Sequence, residues 1–112
     1  MHTPPELISE VASMIYQRLQ LTEPISVSFI QKLIEMLLLF DKKQHDYGST
    51  NIGQFGTYGI VVRLNDKMER LKNVIAKRRG RVKNETIRDT LIDMANYAII
   101  AMLVEEGGWP KV

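Results

Sequence analysis

The chain is predicted to fold as an all-α protein, and three observations carry that expectation. Apolar residues recur at helical spacing over long stretches. No stretch alternates apolar and polar residues with period two beyond a few positions, and a glycine-rich segment interrupts the helical pattern near the middle. The expected architecture is a four-helix, bundle-like single domain over residues 1–112, with a long Gly-rich loop between the second and third helices. Length agrees: a 112-residue, 12.9 kDa chain buries about two-thirds of its extended surface on folding, enough for a core without staples.

Pro4 and Pro5 pre-set φ for a helix start, and Glu6 puts negative charge in the first turn. Leu7, Ile8, Val11, Ile15 and Leu19 then mark a first helix over 5–21, which Pro24 ends. Ser28 with Gln31 matches a capping box, with Ser26 as a competing cap. The second helix runs on Phe29, Ile30, Leu33, Ile34, Leu37, Leu38 and Phe40 to about residue 45, and its wide apolar surface predicts burial on most sides. Residues 46–59 hold Gly48, Gly53, Gly56 and Gly59, too long a connection for a tight turn. The third helix, about 59–78, rests on Ile60, Val61, Leu64, Met68, Leu71 and Ile75, with Gly80 beyond its basic last turn. Asn84 is the expected cap of a fourth helix ending near Glu106, before Gly107-Gly108.

Composition removes whole classes of function. Without cysteine there is no disulfide scaffold, thiolate metal site or thiol nucleophile, and His2 and His45 are too few for a multi-histidine metal site. A net charge of +2 does not announce a nucleic-acid binder. No apolar run approaches the ~18–20 residues of a membrane span. Residues 1–5 lack signal-peptide features, so a soluble, cytoplasmic protein is the expected setting.

The fourth helix carries the anomaly. Glu85, Asp89 and Asp93, with Asn96, share a sector of about 80° that Ile92, Ile100 and Leu103 continue, so an acidic ladder leads into an apolar, buried half. Like charges at i, i+4 repel unless positive charge intervenes. One source is the third helix, whose Arg63, Lys67 and Arg70 would pair with Asp89 and Asp93 across a helix contact. The other is a divalent cation: Glu85, Asp89, Asp93 and Asp66 are hard oxygen donors suited to Mg²⁺ or Mn²⁺, and the three cations would then meet phosphate oxygens. The Gly-rich loop matches no standard phosphate loop, but it offers Asn51 to an anion and Tyr47 to a base. His45 reads as a helix-end dipole partner, and Trp109 as a residue tucked against a neighbouring surface, within the chain or across a dimer. Lys77–Lys83 is the strongest charge run and reads first as a solvated linker.

The ordered set Asp46-Tyr47-Gly48, Asn51, Gly56, Gly59, Arg63, Asp66-Lys67, Arg70-Leu71, Glu85, Asp89-Thr90, Asp93 and Tyr97 resembles the first of the phage nucleotide modification associated domain families, over about 41–104. The resemblance implies a role in phage nucleotide metabolism or DNA base modification. Asp89-Thr-Leu-Ile-Asp93 is more loosely similar to the second metal motif of the all-α MazG-like nucleoside triphosphate pyrophosphohydrolases, with acids four rather than three residues apart. The expected function is therefore metal-dependent binding or hydrolysis of a nucleotide phosphate chain. Tyr47, Asn51, Arg63, Lys67, Arg70 and Asn96 would contact the nucleotide, and the protein is expected to be a homo-oligomer. As an enzyme it would be a Mg²⁺-dependent nucleotide (pyro)phosphohydrolase. The alternatives are a non-catalytic nucleotide-sequestering binder and a DNA-associated accessory protein using Lys77–Lys83.

Overall fold

The computed structural model describes residues 3–77 and 84–110, the side chains of 84–86 excepted. It is all-α: α1 (Pro5–Arg18), α2 (Ile25–Tyr47), α3 (Thr50–Gly53), α4 (Gly56–Ala76) and α5 (Asn84–Glu105), with no strand among the described residues. The chain divides into two compact units, Met1–Asp46 and Tyr47–Val112.

In the first unit, α1 begins as its prolines dictate, with Pro4 extended at the cap and Pro5 and Glu6 opening the first turn. It stops three residues before the expected end. Leu21 N–H donates to Tyr16 O (3.1 Å) and Gln20 N–H to Gln17 O (3.0 Å), the bond pair of a Schellman motif. Its left-handed position is filled by Gln20, at φ 54°. The chain then re-enters helix directly after Pro24, three residues ahead of the expected Ser28 start, with Ser26 N–H on Glu23 O and Val27 N–H on Pro24 O. Ser28 and Gln31 therefore sit inside α2, and the Gln31 amide donates to Ser9 Oγ of α1 at 3.3 Å. Burial of α2 on most sides is not reached. Ile30 and Met36 are buried, with Ala12 from α1, whereas Ile25, Phe29 and Leu37 are exposed.

The second unit is built on α4 and α5. Thr57 Oγ1, early in α4, donates to Glu105 Oε1, late in α5, at 2.6 Å, and Lys67 Nζ meets Asp93 Oδ2 at mid-length. The two contacts make the helices antiparallel. Ile60 and Ile100 at one height and Leu71 and Thr90 at another are buried in the same register. The buried half expected of α5 is correspondingly one-sided, since Ile99 and Met102 are exposed.

Residues 46–59 do not form one long loop. Tyr47 closes α2, α3 makes a single turn, and α4 already begins at Gly56. The glycines mark the breaks between short helical pieces, with Gly48 and Gly56 at positive φ. The sole tryptophan of the chain closes this unit. α5 ends in a second Schellman motif, with Gly108 N–H on Leu103 O (2.8 Å) and Gly107 N–H on Val104 O (3.1 Å). Here the left-handed position is a glycine, Gly107 at φ 76°. The reversal brings Trp109 back, 8% exposed, so that its Nε1–H donates to Ser49 O at 3.0 Å. Its ring lies so close to Gly53 that an added Cβ would sit 2.6 Å from Trp109 Cδ1. Trp109 thus tucks within the chain.

Two positions at the C-terminal end of α1 respond oppositely to glycine. Gln20→Gly relieves a left-handed side chain and should raise unfolding stability in urea by about 0.5–1 kcal/mol. Arg18→Gly, inside the last helical turn, should lower it by about 1 kcal/mol.

Candidate nucleotide-binding side of the α4–α5 pair

Arg63, Asp66, Lys67 and Arg70 fall three and four residues apart on α4, so they share one side of that helix. They are not equivalent. Lys67 points at α5 and meets Asp93 at 3.1 Å, with only 24% and 21% of the two side chains exposed. Burial of this order makes the pair a fixed element of the helix contact. An ammonium has three donors, so Lys67 keeps hydrogen-bonding capacity beyond the carboxylate. Arg63 reaches the short helix instead: its Nη2 donates to Asn51 Oδ1 at 3.2 Å and lies 3.4 Å from Asn51 O. Two of the expected binding residues, Arg63 and Asn51, are thereby brought together, and α3 is tied to α4.

Asp66 and Arg70 on α4 and Asp89 on α5 are exposed, and among the described residues they form no ion pair with one another. Of the cross-helix pairs expected between Arg63, Lys67, Arg70 and the two aspartates, Lys67–Asp93 is formed. Asn96 lies one turn beyond Asp93 and is 9% exposed, which places it against the helix contact. Tyr47 is 79% exposed at the end of α2. No three His, Asp or Glu side chains among the described residues gather closely enough to hold a metal ion. The Glu85 side chain lies outside the described residues, as do residues 78–83 of the basic run. His45 falls in the last turn of α2, where a cation suits the helix dipole.

Sequence reasoning missed one feature altogether. Between α3 and the C-terminal return lies a cleft of about 280 Å³, lined by Thr50, Gly53, Gln54, Val104, Gly107, Trp109 and Pro110. Its only signal in the sequence is Gly107-Gly108 ahead of Trp109, a chain reversal that ends in a large aromatic.

A family model described as nucleotide modification associated domain 1 matches residues 43–104. This span contains α3 and α4 and nearly all of α5. No curated protein and no solved structure matches the chain. No described helix is long and apolar enough to cross a membrane.

The Lys67–Asp93 contact can be weighed by a double-mutant cycle. Lys67→Met and Asp93→Asn, singly and together, should give a coupling of about 1 kcal/mol in thermal or urea unfolding. Thr57→Val, at the other inter-helix bond, should add independently.

Proposed function

The chain belongs to the nucleotide modification associated domain 1 family, and from that premise we propose that the α4–α5 side bearing Arg63, Lys67 and Arg70 holds the phosphate chain of a nucleotide. One observation carries the reading. Three cations rise along one side of α4, yet only Lys67 is committed to a carboxylate partner, while Arg70 is exposed and unpaired among the described residues. Guanidinium forks suit phosphate oxygens through paired hydrogen bonds, and the Lys67 ammonium adds a point charge between them. Asn51, already hydrogen-bonded to Arg63, orients that guanidinium, and exposed Tyr47 offers a ring to the ligand.

Asp66 and Asp89, unpaired on the same two helices, support a further step in this reading. Mg²⁺ commonly takes one or two protein carboxylates and completes its shell with water and phosphate oxygens. A cluster of three acids is thus unnecessary. In the proposal, a divalent ion arrives with the phosphate chain and is met by Asp89 and Asp66, with Glu85 and Asp93 as the other candidate donors. Bound so, it would neutralise phosphate charge and favour hydrolysis of a phosphoryl bond. The sequestering alternative uses the same arginines without turnover.

Purified protein titrated with nucleoside triphosphates in Mg²⁺ should bind in the micromolar range. Arg63→Ala and Arg70→Ala should each weaken binding about tenfold, the size expected of losing a charge-assisted contact. Binding indifferent to both substitutions in folded protein overturns the proposal. Turnover that stops in chelator assigns the enzyme reading, whereas undiminished binding in chelator without products assigns the sequestering one.

We also place a homo-oligomer contact on α4. Val61, Leu64, Met68, Leu71 and Ile75 alternate at three- and four-residue spacing, the pattern of a helix seam. Leu71 is buried, but Val61, Met68 and Ile75 stay 40–50% exposed. Light scattering should report more than one chain per particle, and Met68→Glu should shift the particle toward the monomer.

A further inference from the structure

We infer that the cleft between α3 and Trp109–Pro110 receives the base of the nucleotide whose phosphates lie along α4. This rests on the phosphate-binding reading of Arg63 and Arg70 and adds to it a second, chemically different end of the site. Four observations carry it.

The cleft is preformed. The indole Nε1–H is bonded to Ser49 O at 3.0 Å, and the ring packs on the bare Cα of Gly53. The wall is thus held on both sides before any ligand arrives. Its size suits a planar ring system, since about 280 Å³ lies near the lower bound of small-molecule sites.

Its chemistry is divided as base recognition requires. Val104, Trp109 and Pro110 supply apolar wall, whereas Thr50 and Gln54 stand at the exposed rim. Neither of these two side chains has a hydrogen-bond partner within the described structure. A carboxamide presents a donor and an acceptor side by side, which matches the edge of a nucleobase.

Its position fits the phosphate end. Thr50, Gly53 and Gln54 of the cleft and Asn51, the partner of Arg63, lie within five consecutive residues on and just after α3. One helical turn advances only about 5 Å, so the α3 residues of the cleft and the partner of the first α4 cation belong to one turn.

The test uses the full chain and three probes: deoxynucleoside triphosphates, the matching deoxynucleosides, and inorganic tripolyphosphate. Trp109 is the sole tryptophan, so its emission reports the cleft directly, and calorimetry reports total binding. The expected result is that nucleotides and nucleosides change Trp109 emission, while tripolyphosphate binds through Arg63 and Arg70 with little optical effect. Val104→Phe, which fills the cleft, should weaken nucleotide binding about tenfold and leave tripolyphosphate binding unchanged. Gln54→Ala, an exposed substitution that spares the core, should weaken it several-fold and alter the preference among bases.

If nucleotides bind in an Arg63-dependent way but ignore both Val104→Phe and Gln54→Ala, the base lies elsewhere and this inference falls while the phosphate site stands. If neither nucleotides nor tripolyphosphate binds, both readings fall together. If tripolyphosphate binds as tightly as the triphosphates, no base is recognised, and only the phosphate site survives.

Discussion

Lys67 and Asp93 meet across two antiparallel helices whose remaining buried contacts are mostly apolar, and the second unit depends on the register they hold. Apolar packing is non-directional, so a slide of α4 along α5 by one turn would exchange one aliphatic neighbour for another. A partly buried charge pair does not permit this, because displacement leaves both charges desolvated and unpaired. With the pair in place, Ile60 lies near the height of Ile100 and Leu71 near that of Thr90. Thr57 then reaches Glu105 at the far end. The same register brings Arg70 and Asp89 to neighbouring heights on the two helices.

A second tie runs through α3. Gly107 reverses the chain after α5 and sends Trp109 back onto α3, and α3 in turn gives Asn51 to Arg63 of α4. A four-residue helix has almost no stability of its own. It persists here because an indole closes it on one side and a guanidinium on the other. Loss of either clamp would be felt at both ends of the proposed site, since the α3 residues that line the cleft and the one that orients Arg63 belong to the same turn.

The sequence reveals the long helices well because each has enough turns for apolar spacing to repeat, and Pro5, Pro24 and Gly107 mark ends that backbone chemistry enforces. It reveals less where the signal is short or three-dimensional. α3 is four residues, barely one helical period, and its glycine looks like loop until Trp109 is seen against Gly53. Gln20 takes the left-handed role usually given to glycine, so the end of α1 is displaced. The wheels of α4 and α5 put Arg63, Lys67 and Arg70 on one side of the first helix and Asp89 and Asp93 on one side of the second. A wheel specifies direction and not height, however, so it could not select Lys67–Asp93 from the other possible pairs. Nor could it tell that the wide apolar surface of α2 would leave Phe29 and Leu37 uncovered.

The division between closed and open charges has an energetic reason. An ion pair at the surface is worth about 0–1 kcal/mol, most of it offset by the entropy of holding two long side chains still. Arg70, Asp66 and Asp89, in no ion pair among the described residues, therefore forgo little. Asp93 and Lys67, with three-quarters or more of each side chain covered, would incur a desolvation penalty if left apart, and they close. In the proposed function a polyphosphate would reverse the balance for Arg70, because it brings several oxygens in fixed geometry and can accept a guanidinium through two bonds at once. Lys67–Asp93 holds the helices together, and Arg70, unpaired among the described residues, stays open for the proposed phosphate chain.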